Sequence, residues 1–424
     1  MLLTLFLILF VLLLLSVPMY ISLSFSALLV LFFFSQIPLE VVPQRMLAGI
    51  DKFSLMAVPF FIFAANVMQG GGLSSRILRL ANALVGHLRG GIAMTAVVAG
   101  MFFGAVSGSS PATVIAIGSL MYPALIKAGY RESFSNGLLT SSSAVAVIIP
   151  PSIGLIVYGS VTGTSVGDLF VAGIVPGVFF GIVFMVYSFY YAKKNKIALQ
   201  QKVPRSELWG AFKESIWALG IPVVIVVGIY GGVFTPTESA AVAAVYAIIV
   251  AMFVYRELNF KGLIKVSIGA GIGTAQIMIL LAAASVFAWI LTRYQVPQDL
   301  AQLMMSIYDS KIAILLMMNV IMLLAGMFID SASFTIILAP LFLPIAMQYG
   351  IDPIHLGIIM ILNGAIGMYT PPFGLNLFVA SSISKTPVSK IIPGVIPFIL
   401  LSLIVLFGVT YFEQISIWLP NLFK

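Results

Sequence analysis

Long apolar stretches follow one another through nearly the whole chain, and this pattern limits the fold more than any other feature. A hydrocarbon core of about 30 Å needs roughly 20 apolar residues per helix. Eight stretches are candidates to cross it: 2–16, 18–34, 52–69, 167–192, 213–232, 237–255, 270–292 and 388–412. With 61% hydrophobic and only 8% charged residues, the sequence predicts an all-α polytopic membrane protein. The same composition excludes a soluble domain and a nucleic-acid-binding protein.

The N-terminus lacks the signals of a cleaved secretion peptide. No basic residue precedes the apolar run 2–16, no small-x-small motif follows it, and Pro18 leads directly into a second run. A cleaved signal peptide normally has both features. We therefore expect two membrane helices that meet at a tight break.

Four other apolar segments are interrupted at their middles. Segments 134–149 and 353–369 are each followed by a Pro-Pro pair, at 150–151 and 371–372, and then by another short apolar stretch. That pattern predicts two broken helices, because proline ends a helix. Two further segments, 91–127 and 312–349, have polar residues at their centres, around 107–111 and 330–333. They predict re-entrant helical hairpins, whose tips must be buried in protein or line a cavity.

The basic residues give the orientation. If each hairpin returns to the side it entered and each broken helix crosses once, four basic residues lie on one side: Arg45, Lys52, Lys311 and Lys424. Sixteen lie on the other, from Arg76 to Lys390, and Arg293 remains at the end of an apolar helix. The richer side is cytoplasmic by the positive-inside rule. The first hairpin then opens from the cytoplasm and the second from outside.

An internal repeat accompanies the opposite entry of the hairpins. Three motifs recur in the same order: Ala-Gly-Met-Phe at 99–102 and 325–328, Pro-Pro at 150–151 and 371–372, and Val/Ile-Pro-Gly-Val at 175–178 and 392–395. Kinks that only relieve helix packing would explain one such motif but not a paired series. The order predicts a transporter built from inverted repeats.

The breaks offer oxygen ligands. Where a helix stops, its last carbonyls lose their amide partners. Carbonyls and hydroxyls suit Na⁺, and the absence of Cys with only two His excludes a transition-metal centre. One predicted cation site has Ser107, Ser109 and Ser110 facing residues 141–150, and the other has residues 330–333 facing Asn363, Gly367, Thr370 and Asn376. The positive ends of the half-helices would favour an anionic solute between the tips.

Several of these residues have a plainer interpretation. A membrane serine often only bonds the preceding turn of its helix. Asp330, a costly carboxylate at membrane depth, would instead be a surface residue if its hairpin is shallow. Arg293 either reaches the outer interface or binds a substrate carboxylate. The amphipathic stretch 73–89 predicts a helix on the membrane surface, with 255–265 as its counterpart, and Glu238 is expected to support a helix cap.

At several stretches the chain resembles a known family, the large membrane subunit of tripartite ATP-independent periplasmic (TRAP) transporters. The matching segments are VPFFIFAANVMQGGGLSSRIL (58–78), AGMFFGAVSGSSPATVIAIGSLMYPALIKAGY (99–130), IIPPSIGLIVYG (148–159), LFVAGIVPG (169–177), GIYGGVFTPTESAAVAA (228–244) and YTPPFGLNLFV (369–379). The resemblance implies a scaffold and a mobile elevator domain that holds both hairpins. It also implies Na⁺-coupled uptake of an organic acid across the bacterial inner membrane.

The resemblance implies site residues and partners. The first sodium site falls on Ser107, Ser110, Ser143, Val145, Ile148 and Pro150, and the second on Gly326, Ser333, Gly367 and Thr370. Candidate substrate ligands are Arg293, Asp330, Ser109, Ser152 and Asn376. The expected partners are membrane lipid, a periplasmic substrate-binding protein and a small four-helix subunit, a separate chain because no such helices are fused here. Na⁺ is the coupling ion, and no other cofactor and no nucleic acid are expected.

The resemblance also implies a division of the chain. Scaffold helices are expected in 1–70 and 193–255, and the two halves of the transport domain in 91–192 and 269–424. The arm helices are expected in 71–90 and 256–268.

The best guess for the cargo is sialic acid, with C4-dicarboxylates as the alternative. An ion channel or binding scaffold is a third possibility. An intramembrane enzyme is disfavoured, because no base lies near the tip serines and Asp330 has no second aspartate.

Overall fold

The computed structural model describes residues 1–15, 17–199, 204–307 and 310–422, so Ser16 of the first predicted span and the predicted loop residues Lys202 and Lys424 lie outside the described residues. The described chain forms twenty α-helices and no β-strand. The helices are α1 (Leu2–Leu14), α2 (Met19–Phe34), α3 (Val41–Ile50), α4 (Ala57–Gly70), α5 (Leu73–Val85), α6 (Gly91–Ser107), α7 (Ser110–Lys127), α8 (Glu132–Ser142), α9 (Ile153–Thr162), α10 (Val166–Lys194), α11 (Arg205–Tyr230), α12 (Pro236–Ile249), α13 (Phe260–Arg293), α14 (Val296–Ile307), α15 (Lys311–Gly326), α16 (Ser331–Gln348), α17 (Pro353–Gly367), α18 (Leu375–Ser384), α19 (Val388–Tyr411) and α20 (Gln414–Leu422).

The long helices coincide with the stretches that hydropathy selects. Two of the eight predicted spans, 2–16 and 18–34, form helices of only 13 and 16 residues. Seven helical segments of the described chain are long and apolar enough to cross a bilayer; six lie on the other predicted spans, and the seventh is α16. They include α10, α11 and α19, with 29, 26 and 24 residues. At about 1.5 Å per residue each exceeds the 30 Å of the hydrocarbon core. The prediction of an all-α polytopic membrane protein is confirmed.

The second arm helix is not where the sequence analysis expects it. Residues 260–268 do not form a helix of their own; they are the beginning of α13, which runs unbroken for 34 residues. The structural counterpart of α5 is instead α14, because each of these amphipathic helices immediately precedes a hairpin. The sequence analysis had no prediction for α14, nor for α3 and α20.

Both hairpins and both broken helices are present. The first hairpin is α6 and α7, which turn at Gly108 with φ of +58°, a left-handed conformation that glycine adopts without strain. The second is α15 and α16, joined by residues 327–330. The first broken helix is α8, continued by a 3₁₀ turn over Ser143–Val147, and α9; the second is α17 and α18. At about 15 Å each, the ten-residue α9 and α18 are too short to span.

The two halves of the repeat exchange their short helices. The entering arms α6 and α15 pack on the broken helix of their own half, namely the 143–147 turn and α17. The short helices do the reverse: α9 packs on α16 of the second hairpin, and α18 packs on α7 of the first. The long helices that follow also cross over, with α19 on α8 and α10 on α17. The halves are therefore interlocked, not side by side.

The helix contacts correct the register of one repeated motif. In the second half, Gly326 packs against Gly367, four residues before its Pro-Pro pair. In the first half, the residue four before the pair is Ala146, and the glycine against it is Gly104. Gly100, which belongs to the repeated Ala-Gly-Met-Phe motif, lies one turn earlier, against Ser142. The two copies of that motif therefore occupy non-equivalent positions.

Polar contacts fix the positions of α5 and α12. Arg76 on α5 pairs with Glu257 at 2.5 Å and lies 3.9 Å from the ring centre of Tyr255. Glu238 and Thr235 form a reciprocal capping box at the start of α12, the supporting role that the sequence analysis expects for Glu238.

Candidate functional site

The first hairpin tip is a buried cluster of hydroxyl groups. The Ser107 Oγ lies 3.1 Å from the Thr113 Oγ1. The Ser110 Oγ accepts a 2.6 Å hydrogen bond from the Asn376 Nδ2, which also donates to the Thr140 carbonyl at 3.1 Å. Ser110, Thr140 and Asn376 are fully buried. Because Asn376 belongs to α18, a residue of the second half of the chain holds the tip of the first hairpin in place.

The predicted carbonyl ligands of the first site differ in how free they are. The Val145 carbonyl accepts hydrogen bonds from the amides of Ile148 at 3.0 Å and Ile149 at 3.1 Å. The Ile148 carbonyl faces Gly173 of α10, on another side of the break. Ser143 and Pro150 are buried beside them.

The carbonyl next to the first tip belongs to Pro151. A Cβ atom on Gly108 would meet its oxygen at 2.6 Å. The sequence analysis did not include Pro151, because nothing in a Pro-Pro pair indicates which of its two carbonyls faces the tip.

The second tip is built around close glycine contact. A Cβ atom on Gly367 would lie 2.4 Å from the carbonyl atoms of Gly326, so the backbones of α15 and α17 touch there. The Thr370 Oγ1 donates to the Ile366 carbonyl at 2.6 Å, which leaves the lone pairs of the hydroxyl free to accept or to coordinate. Gly326 and Gly367 are thus in contact, and Thr370 follows one turn later, with its amide donating to the Gly367 carbonyl at 3.0 Å.

Asp330 lies at the mouth of the second tip as the N-cap of α16. Its Oδ1 accepts from the amides of Ala332 at 3.0 Å and Ser333 at 3.1 Å, and its Oδ2 accepts from the Ser333 hydroxyl. The side chain is partly exposed and lines a cavity of about 280 Å³ between the tip, Met19 and Phe373. The Ser333 hydroxyl, a predicted sodium ligand, is committed to this cap.

The three other predicted substrate ligands lie in different surroundings. Ser109 is the partly buried N-cap of α7 at the first tip. Ser152 is fully buried; its hydroxyl donates to the Val147 carbonyl and accepts from the Leu155 amide, so it caps α9. Arg293 is the exposed last residue of α13 and is not among the residues around the cavity at Asp330.

Six buried side-chain oxygen atoms have no hydrogen-bond partner within the described part of the chain. Four of them lie on the broken helices and the second hairpin, namely the Ser141 Oγ on α8, the Ser331 Oγ on α16, the Asn363 Oδ1 on α17 and the Asn376 Oδ1 on α18; the other two, on Tyr130 and Ser239, lie elsewhere. A buried polar atom without a partner costs about 1–3 kcal/mol. Asn376 bonds Ser110 at the first tip, and a Cβ on Gly364, next to Asn363, would meet the Ser331 Oγ at 3.0 Å. Neutral oxygens of this kind fit an alkali cation.

The other polar atoms around Asn363 are paired. Its Nδ2 donates to the Asn319 Oδ1 at 2.7 Å, and the Asn319 Nδ2 donates to the Thr410 Oγ1 at 3.1 Å. Asn363 is therefore held with its amide oxygen turned away from this chain of bonds. Among the described residues, no group of three or more His, Cys, Asp and Glu could hold a metal ion.

Comparisons with known proteins agree with this architecture. Residues 6–415 match the family described as "Tripartite ATP-independent periplasmic transporter, DctM component". The chain is 42% identical over 400 residues to the C4-dicarboxylate TRAP transporter large permease protein DctM of Pseudomonas aeruginosa, which covers 94% of both chains. It is 37% identical over 408 residues to the sialic acid TRAP transporter large permease protein SiaM of Vibrio cholerae, with 96% of both covered.

A solved structure shows a similar fold. The crystal structure of the Alcanivorax borkumensis YdaH transporter, described as having an unusual topology, superposes with a TM-score of 0.64 over 90% of this chain and 89% of that one. The sequence identity is 15%, so the likeness concerns the fold alone.

The relatives are named as transporter permeases, a class that is not enzymatic. Their full-length similarity, the family match and the multiple apolar helices agree on a multi-pass membrane protein. The chain belongs to the DctM-component family of tripartite ATP-independent periplasmic transporters and is a TRAP transporter large permease protein.

Proposed function

We propose that this chain imports an organic acid anion across the bacterial inner membrane together with Na⁺. One observation carries the proposal: among the described residues, four buried oxygens without a partner lie on the two broken helices and the second hairpin. Na⁺ bound there would remove their desolvation cost and tie each tip to its broken helix. The bound ions would also reduce the repulsion between Asp330 and an arriving anion.

Helix ends provide the attraction for the anion. The N-termini of α7 and α16 lie at the two tips, and those of α9 and α18 lie beside the opposite tips. Each N-terminus carries a partial positive charge, and the Asp330 and Ser152 side chains already accept from first-turn amides of α16 and α9. An anion between the tips would therefore meet positive helix ends from both halves of the chain.

The proposed movement is an elevator. In the predicted division, the hairpins and broken helices of 91–192 and 269–424 slide against the scaffold helices of 1–70 and 193–255. The fold supports a single moving body, since the exchanged helices α9 and α18 bind the two hairpins to each other. Coupling to excess Na⁺ would draw on the membrane potential, which contributes about 2.3 kcal/mol per charge per 100 mV.

The partners and the cargo are part of the same proposal. The family description refers to a tripartite periplasmic transporter, which supports a separate small membrane subunit and a periplasmic substrate-binding protein as partners. Sialic acid and a C4-dicarboxylate are both candidate cargoes, because relatives of nearly equal similarity are named for each. Other relatives are named for ectoine and isethionate. Uptake of labelled sialic acid and labelled succinate, with and without a Na⁺ gradient, distinguishes the two candidates.

The sodium sites are tested by Ser107→Ala and Thr370→Ala. Each should raise the Na⁺ concentration for half-maximal uptake, because each removes a hydroxyl from one predicted site. Ser382→Ala is the matched control, since the exposed Ser382 hydroxyl bonds only its own helix, at the Val379 carbonyl. Unchanged Na⁺ dependence in both site variants would remove the assignment.

A channel is the competing function. It would conduct without coupling, so external unlabelled cargo would not drive counterflow of labelled cargo in proteoliposomes. Observed counterflow supports the carrier.

A further inference from the structure

A second cavity, distinct from the one at Asp330, lies between the predicted scaffold and the predicted moving body. It encloses about 280 Å³. The predicted scaffold contributes α3 and the loop after it; the predicted transport domain contributes the last three turns of α13, the end of α9 and the middle of α16. By the positive-inside assignment it faces the outer side, where solute arrives.

The charges around this cavity are of one sign. Its lining includes Arg45 and Lys52 and, within the described part of the chain, no carboxylate. Asp51 is adjacent to Lys52 in sequence but is not among the lining residues. Neutral hydrogen-bonding groups complete the surface, namely the hydroxyls of Ser160, Ser285 and Thr292. Such a surface favours an anion with a small polar body.

Each of the two cations is held in position by one contact and has no carboxylate partner among the described residues. The Lys52 Nζ donates to the Ser160 carbonyl at 2.7 Å, a group at the C-terminal end of α9, and two of its three N–H groups have no partner among the described residues. Partial burial lowers the pKa of Lys52, so its ammonium is incompletely hydrated. The guanidinium of Arg45 lies 5.1 Å from the ring centre of Trp289 and has no carboxylate partner in the described chain.

A structural role alone accounts for only part of this arrangement. Capping α9 would explain Lys52, and stacking on Trp289 would explain Arg45. Neither explains two cations on one cavity without a carboxylate. Apposed like charges repel unless an anion lies near them.

The cavity is also connected to the hairpin tip by one helix. Pro340 of α16 lines it, and α16 begins at Ser331 beside the second tip. Nine residues at 1.5 Å each separate the two points by about 14 Å. A solute beside Pro340 would thus lie about 14 Å from the second tip, measured along α16.

We infer that Arg45 and Lys52 form a carboxylate-receiving site in this cavity, which holds the anionic cargo before it reaches the hairpin tips. The inference rests on the proposed function, because it takes the cargo to be an organic acid. It assigns the first charge contact to these two residues, whereas Arg293 was the only cation among the substrate ligands expected from the sequence. The occupant is a small carboxylate and not a lipid phosphate, because three hydroxyls line the wall and the volume of about 280 Å³ suits a small solute.

The absence of cysteine from the sequence allows a direct test. Thr292→Cys places a single thiol in the cavity, at an exposed position. The full chain is incorporated in nanodiscs of neutral lipid and labelled with an uncharged maleimide, without Na⁺. Succinate and N-acetylneuraminate, added separately, should slow the labelling. Adding Arg45→Gln or Lys52→Gln should raise about tenfold the carboxylate concentration that protects the thiol from labelling. Lys311→Gln is the control and should leave that concentration unchanged. Lys311 is a cation on the same predicted side and pairs with Glu413 at 3.6 Å.

The outcomes separate this site from the proposed function. Loss of protection in both cation variants, with retention in Lys311→Gln, supports the site. Protection that is absent, or equal in all variants, overturns it even if the protein transports. Protection that requires phosphatidylglycerol in the nanodisc assigns the cavity to lipid and also overturns it. If protection is as expected but uptake is absent even after reconstitution with the small subunit and a loaded periplasmic protein, the site stands and the proposed function fails.

Discussion

Gly367→Ala should weaken sodium coupling at one site while it leaves the other intact. The new Cβ would lie 2.4 Å from the carbonyl carbon and oxygen of Gly326 and 2.6 Å from its Cα. Ordinary contacts between such atoms are about 3.5–4.0 Å, so α15 must retreat by roughly 1 Å. Because backbone atoms and not a flexible side chain are in the way, rotation cannot relieve the clash.

The expected size of the Gly367→Ala effect follows from overpacking, which costs about 1–3 kcal/mol of folding free energy in a well-packed interior. If the sodium-bound arrangement bears that cost, the Na⁺ concentration for half-maximal uptake should rise about fivefold to a hundredfold. Gly326→Ala should have a smaller effect, because its nearest atoms would be 3.4 Å away. Gly271→Ala serves as the control, since a Cβ there meets no atom within 4 Å.

The assay is Na⁺-dependent uptake into proteoliposomes, with choline as the replacing cation, together with stabilisation of the purified protein by Na⁺ on heating. The thermal measurement keeps the test informative if the variant transports poorly. A folded Gly367→Ala protein with the parental Na⁺ dependence in both measurements would refute the close backbone contact as part of the sodium site.

Three further substitutions test other contacts. Asn376→Ala should lower stability by about 2–4 kcal/mol, because it removes two buried hydrogen bonds between the halves; thermal unfolding should show little change for Asn195→Ala, whose bond is exposed. Arg76→Ala should destabilise the protein by about 1–2 kcal/mol through loss of the Glu257 pair and the Tyr255 contact, and an unchanged melting temperature would contradict this. Arg293→Lys should reduce uptake about tenfold at normal expression if Arg293 binds a carboxylate in bidentate fashion, and parental uptake would assign it to the membrane interface.

Hydropathy and proline positions predicted six of the eight spans, both hairpins and both broken helices, whereas α1 and α2 are shorter than expected. These features depend only on the local sequence. A run of about 20 apolar residues is long enough to span a bilayer, and a Pro-Pro pair stops a helix wherever it occurs. The predicted limits of α10, 167–192, differ from the observed ones by two residues at most.

Periodicity was less reliable where a surface helix continues into a span. The apolar pattern of 270–292 begins after the polar residues 256–268, so the sequence suggested two helices, although α13 is continuous from Phe260. The true counterpart of α5 was missed because α14 is short and follows Arg293 almost directly.

The site was only partly predictable, because its contacts join residues far apart in sequence. Composition identified serines 107 and 110 and the Gly-Thr pair at 367 and 370. The sequence alone does not show which oxygen atoms lack a hydrogen-bond partner in the fold. The bond from Asn376 to Ser110 spans 266 positions. It could have been suspected from the repeat, in which the second residue of each short helix, Gly154 or Asn376, faces the first residue of the opposite hairpin's second arm.

The interlocking of the halves has a consequence for biogenesis. When the ribosome has completed α9, the helix on which it packs, α16, has not been translated, and Ser110 still lacks Asn376. The nascent first half must therefore stay in the membrane without these partners until α16 is complete, 186 residues later, and until Asn376 follows, 214 residues after the end of α9. Truncation before α16 should leave a segment that insertion machinery or quality-control proteases recognise as unfinished.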